Sequence, residues 1–258
     1  MSILNKLFLL AIGISLPMTV SCEFVQNLFN VSKKDSIAKG FEYAKFGRYD
    51  SSTAIFSKLF DNDKNDTNVL KGLIMSKWAF QGYDSGRQYL KYLRNNSRFR
   101  SDIDTNHYES LLKKIDANSI LFVDNDKDLL VLLWLQEIGH VKTNMSVVNV
   151  PFLNYRWYVK GERMRLNLPM LFTTLQLDII DNEANSFNEP TPYTLPNAGI
   201  GIVLPSRAEK HTMYVSDKLL IDIVDANRWK KPIYFTYKDH LFEKYLKESN
   251  GLYSLIPQ

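Results

Sequence analysis

Ser119-Ile-Leu-Phe-Val123, then Asp124-Asn-Asp-Lys-Asp128, then Leu129 to Ile138, then Ser146-Val-Val-Asn-Val150 is the stretch that decides the fold. The first and last pieces are short, apolar and β-branched, as strands buried on both faces are. Between them the apolar run Leu129–Ile138 has helical length and ends at Gly139, the residue type that closes helices. A turn-forming loop at residues 124–128 separates the first strand from the helix. Strand, helix, strand in that order predicts a parallel crossover unit. Toward the C-terminus the pattern recurs: Lys218–Asn227 reads as a helix, Trp229–Pro232 as a turn and Ile233–Tyr237 as a strand. Residues 118–258 are therefore expected to form a small α/β domain. Within it Asn182–Asn197, with Pro190, Pro192 and Pro196 among polar residues, reads as an exposed loop.

Upstream, Ser36 to Asn96 has helical periodicity and repeats itself. Tyr49-Asp50 returns 34 residues later as Tyr83-Asp84, and at the same offset Ser52 pairs with Gly86, Phe56 with Leu90 and Leu59 with Leu93. The segment Gly40-Phe-Glu-Tyr-Ala-Lys-Phe-Gly-Arg-Tyr49 leading into Ser52, Phe56 and Leu59 resembles a tetratricopeptide repeat, and 34 residues is that family's period. Lys64 stands where the family has its helix-ending proline, and Gln81 replaces the turn glycine, with Gly82 one place late. The fold class expected is mixed, α+β or α/β. Tetratricopeptide-like hairpins over residues 36–117 precede the sheet domain, and one open helical face needs a neighbour to cover it.

The N-terminus reads as a leader. Lys6 precedes an apolar run from Leu7 to Val20, shorter than the roughly 20 residues that cross a bilayer. Thr19-Val20-Ser21-Cys22 resembles a lipoprotein cleavage box, with Thr19 where leucine is more usual. Residues 1–21 are read as a signal peptide, 22–35 as a linker, and Cys22 as the lipidated residue that holds the body to a membrane of the bacterial cell envelope, facing the periplasm. Cys22 is the only cysteine, so no disulfide forms within the chain.

A net charge of +4, from 32 basic and 28 acidic residues, is too mild to point to nucleic acid. The apolar content of 45% is ample for a packed core. His107, His140, His211 and His240 are scattered, and neither a glycine-rich phosphate loop nor a nucleophile elbow occurs. No metal and no cofactor is expected, and no catalytic residue is assigned.

Candidate ligand residues cluster after the two strands. Asp124, Asn125 and Asp126 follow the first, at the end where α/β sheets hold ligands. Two carboxylates so spaced suit a divalent cation with sugar-nucleotide phosphates. Equally, Asp124 or Asp126 caps the next helix while Asn125 shapes the turn. Asn154, Arg156 and Tyr158, with Asn149 and Trp157, follow the second strand, where they suit a sugar or simply fill the core.

Asp124-Asn-Asp, Leu135-Gln-Glu-Ile-Gly, Val147-Val-Asn-Val-Pro-Phe-Leu-Asn-Tyr-Arg-Trp-Tyr158, Asn227-Arg-Trp-Lys-Lys-Pro-Ile-Tyr-Phe235 and Gly251-Leu-Tyr-Ser-Leu-Ile-Pro257 together resemble a known pattern. It is the soluble C-terminal part of the domain-of-unknown-function 2723 family, membrane proteins often described as protein O-mannosyltransferase-like. The resemblance covers Asn118 to Gln258, and it departs at Lys127, where the family tends to have a hydroxyl. It implies an α/β body held beside a membrane, here by a lipid in place of membrane helices. The functional expectation is a non-enzymatic envelope scaffold whose repeats take a protein partner. The alternative is an accessory protein binding a glycan or sugar nucleotide.

Overall fold

The computed structural model describes residues 21–95, 105–180, 187–206 and 213–256. The leader reading lies outside these but for Ser21. Among the described residues no helix is long and apolar enough to cross a membrane.

Helix α1 spans Ser21–Lys45, α2 Tyr49–Asn62 and α3 Thr67–Gln81. They are packed as successive antiparallel neighbours, α2 against both others. The first helix runs straight through the stretch expected to be a linker, since neither glycine nor proline interrupts residues 22–39. Phe56 of α2, wholly buried, is the knob of this layer. A Cβ on Gly40 of α1 would stand 2.8 Å from its ring, and one on Gly72 of α3 only 2.2 Å away. Both glycines are thus the holes that let three helices close on one aromatic. Lys33 of α1 bridges Asp63 and Asp66, each at 2.8 Å, and Asp66 also caps α3 through the amides of Asn68 and Val69.

The second hairpin is less regular. Where the first repeat has one helix after its tyrosine, the second has two pieces, α4 (Tyr83–Arg87) and α5 (Leu90–Asn95). Gly86 lets this segment approach α3, since a Cβ there would be 2.6 Å from the carbonyl of Ile74, and at the break three-residue hydrogen bonds such as Tyr89 N–H to Gly86 O tighten the chain. Helix α6 (Thr105–Lys114) then leads into the sheet.

Strand β1 (Ile120–Val123), helix α7 (Asp126–Glu137) and strand β2 (Ser146–Asn149) form the expected crossover, with β1 and β2 parallel. A 3-10 turn (Pro151–Asn154) and helices α8 (Arg156–Arg165) and α9 (Thr174–Ile179) follow. Next come strands β3 (Thr191–Leu195) and β4 (Ile200–Leu204), helix α10 (Val215–Asn227) and strand β5 (Ile233–Phe235). Strands β6 (Leu246–Ser249) and β7 (Leu252–Leu255) close the chain. The main sheet has the order β2-β1-β5-β7-β6, parallel in its first three strands and antiparallel in the last two. The Asn250-Gly251 turn joins β6 to β7 with both residues at positive φ, 52° and 76°, as a tight hairpin turn demands.

The stretch read as an exposed loop holds β3, which pairs with β4 in a separate two-stranded ribbon. Pro192 is tolerated because a ribbon strand has a free edge on which no amide is missed. The ribbon is fastened to α10: Asp225 accepts the amides of Asn197 (2.7 Å) and Ala198 (3.0 Å), and Trp229 donates to the Ala198 carbonyl at 2.8 Å.

Helix α7 is buried almost all round, with Leu129 to Leu133 and Leu135 inaccessible. Its two neighbours explain this, for β1 and β2 cover one side and α5 and α6 the other. The helical layer and the sheet consequently share one core. At their junction Glu162 of α8, whose side chain is fully buried, receives Arg165 Nε at 2.9 Å and a second bond from Arg165 Nη2. The guanidinium lies over the Tyr83 ring, 3.9 Å from its centroid, and Tyr83 donates to Glu137 of α7 at 2.8 Å. Burial raises the Glu162 pKa, and Arg165 works against that rise. Arg165→Ala strands a buried carboxylate and is expected to cost about 3–5 kcal/mol in urea unfolding. Glu162→Leu combined with Arg165→Met should recover most of it, because it is the unpaired charge and not the lost bond that destabilises.

Candidate functional site

A cleft of about 320 Å³ lies between the helical layer and the loop after β2. Phe41, Tyr49 and Phe56 line it from the helices, and Phe152, Tyr155 and Trp157 from the sheet side. Local structure places each. Gly47, at φ 73°, ends the first hairpin turn and lets Tyr49 start α2 facing the sheet. Pro151 opens the 3-10 turn that delivers Phe152, and Tyr155 is the residue before α8, with Trp157 in that helix's first turn.

The rings meet mostly edge to face: Tyr49 and Trp157 at 5.9 Å and 71°, Phe41 and Phe56 at 4.9 Å and 63°. Tyr155 and Trp157 instead lie nearly parallel, at 6.3 Å and 26°. Burial raises the pKa of Tyr49, and neighbouring Trp157 works against that rise. Charge enters the cleft at Lys45, Lys71 and Asp126. Asp126 stands in the first turn of α7, where the helix dipole favours an anion, and pairs with Lys71 of α3 at 2.5 Å.

Of the candidate ligand residues read in the sequence, Asp126 and Trp157 line this cleft. Asn125, and not either aspartate, is the cap of α7: its carbonyl oxygen accepts the Asp128 amide at 2.8 Å, while its side-chain amide donates to Asp124 at 2.9 Å. Asp124 and Asp126 do not converge, because a cap turns successive side chains apart, and Asp126 is drawn to Lys71. Among the described residues no group of three or more His, Cys, Asp or Glu side chains is placed to hold a metal ion. Asn154 accepts the Ser216 amide at 3.0 Å and donates to Pro151, tying the turn to α10. Arg156 reaches away, toward the carbonyl of Ile180. Tyr158 is wholly buried and accepts the backbone amide of Asn149 at 2.8 Å. These three hold the scaffold. Sequence reasoning passed over Tyr155, one residue from two it named, and Lys71, for which no local pattern exists.

The order β2-β1-β5 puts a topological switch point between β1 and β5, just where Asp124 and the loop after β5 lie. Its carboxylates are engaged locally: Asp239 accepts Tyr237 Oη at 3.1 Å and the Leu241 amide at 2.9 Å, and Asp217 accepts the Tyr214 amide at 2.8 Å, while the buried hydroxyl of Thr236 has no hydrogen-bond partner among the described residues.

A second cavity of about 250 Å³ lies between α10, the ribbon and the segment before α9. Asp222 lines it, accepting the amides of Leu171 at 3.0 Å and Phe172 at 3.3 Å. Burial pushes its pKa up to about 6, against those two amide bonds, and nearby Asp225 adds to the rise. A carboxyl whose folded pKa is raised binds its proton more tightly in the native state, so stability falls as pH climbs from about 4 to about 6. Asp222→Asn should remove part of that slope: the melting temperature of wild type relative to the variant is expected to drop across this interval and to level off above it. A difference flat in pH would show that Asp222 titrates normally.

Residues 105–184 match the family model of TMEM260-associated domain 2. The matched segment runs from α6 past α9 and supplies the sheet-side wall of the cleft. No curated protein and no solved structure matches the chain.

Proposed function

We propose that this chain is a lipid-anchored protein of a bacterial cell envelope, its body in the periplasm, which holds a protein partner in the cleft between its helical hairpins and its sheet. The apolar run Leu7–Val20 followed by Cys22 supports the anchor. The motifs shared with the domain-of-unknown-function 2723 proteins, whose soluble part also sits beside a membrane, support the location. A tetratricopeptide-like reading of the hairpins supports a partner that is itself protein.

One observation carries the reading. Tyr49 and Tyr83 occupy the same place in the two repeats, and Tyr83 is filled from within by Arg165 and Glu137. Tyr49 opens instead onto an aromatic cleft whose rim leaves Phe41 and Tyr155 exposed, at 37% and 38%. Clefts of a few hundred cubic ångströms, mostly apolar with few charged groups, are the usual form of a binding site.

A photo-crosslinking residue in place of Tyr155, in the full chain within native envelope, is expected to give a discrete protein adduct that disappears when Tyr49→Ala is added. The same residue in place of exposed Met164, at 85%, should give none. Cys22→Ser should move the adduct out of the membrane fraction. Equal adducts from both positions, or none from position 155, would overturn the reading. The near-parallel rings of Tyr155 and Trp157 give a glycan a stacking platform, and an adduct carrying carbohydrate in place of protein would establish that second reading.

A further inference from the structure

Resting on the cleft as the binding seat, we infer that its occupant is an apolar side chain lying next to a carboxylate, as an acidic peptide segment presents. The charges on the lining decide this. Lys71 is matched by Asp126, with both side chains about one-third exposed, so that pair leaves the cleft neutral. Lys45 remains. Among the described residues it has no carboxylate partner, and it stands in the last turn of α1 at the cleft's edge. The lining thus carries one cation in excess, over walls that are otherwise aromatic.

Aromatic faces attract cations, so the opposite ligand has to be weighed. A ring offers a cation its face, and Trp157 already meets Tyr49 at 71° and Tyr158 at 85°. An ammonium entering beside Lys45 would also meet direct repulsion. The aromatic walls therefore serve an apolar group, and Lys45 serves the anion beside it.

The test uses three probes of one skeleton, 3-phenylpropionate, 3-phenylpropanamide and 3-phenylpropylamine. They are added to the full chain in lipid nanodiscs, with empty nanodiscs as the blank, and read by saturation-transfer NMR. The carboxylate is expected to bind about fivefold more tightly than the amide, the size of one ion pair near water, and the amine more weakly still. Lys45→Glu, at an exposed helix end, should bring the carboxylate to or below the level of the amide, and Lys45→Gln to its level. Equal binding of all three probes, or a preference for the amine, would overturn the inference while leaving the cleft a binding seat. No binding of any probe would remove the seat itself. Displacement of the carboxylate by methyl α-mannopyranoside would overturn a peptide occupant in favour of a sugar.

Discussion

The buried pair Glu162–Arg165, stacked on Tyr83, is the joint on which the rest of this structure depends. An ion pair out of water is sustained only if geometry and neighbours make up for lost hydration. Here the carboxylate receives two bonds from one guanidinium, whose flat face lies on a tyrosine that is itself anchored to Glu137. Arg87 adds a second contact to Glu137 at 3.3 Å. Four elements meet at this point: α3 through Trp78, α4 through Tyr83, α7 through Glu137 and α8 through Arg165. Directional bonds of this kind fix the angle between the helical layer and the sheet, which apolar contact around α7 alone would leave free to slide.

That fixed angle makes the cleft. The two halves touch along α7, at Tyr83 and at Trp78, and one repeat further toward the N-terminus the equivalent tyrosine, Tyr49, makes a T-shaped contact with Trp157. A repeat scaffold offers the same chemistry at regular intervals, so filling one interval from within and leaving the next open follows from the offset between repeat and sheet. Gly72 takes part in both. It receives Phe56 on one side as a packing hole, and it also lines the cleft floor, where a side chain would crowd the space.

Much of the architecture was legible in the chain because short-range physics governs it. The crossover β1-α7-β2 announces itself through buried runs bounded by turn residues, and the hairpins through the 34-residue offset at which Tyr49-Asp50 returns as Tyr83-Asp84. What escaped was set by partners distant in sequence. β3 looks like a loop because it is stabilised by β4 and by Asp225 some 28 residues on, neither of which its own composition reveals. The β6-β7 hairpin did carry a local signal, Asn250-Gly251, that went unread beside the stronger pattern of β5. Spacing in sequence leaves Asp124 and Asp126 open both to a shared ligand and to capping α7, whereas in the fold Asn125 is the cap and Asp126 pairs with Lys71.

The site follows the same division. Residues that look chemically eloquent in sequence, Asn154 and Tyr158 among them, are occupied with holding the 3-10 turn and α8 in place, since a polar group inside a fold is kept only where it has a partner. The residues left to meet a ligand are those that packing does not consume: Tyr155 beside them, Phe41 across the gap, and Lys45 at the end of α1. Helix α1 thereby joins the two ends of the functional argument. It begins at Ser21, beside the cysteine read as the membrane anchor, and after 25 residues it ends with the lysine on the rim of the cleft. One continuous helix spans these residues, rising about 1.5 Å per residue, so the start of α1 and the rim of the cleft are joined by regular backbone and not by a loose tether.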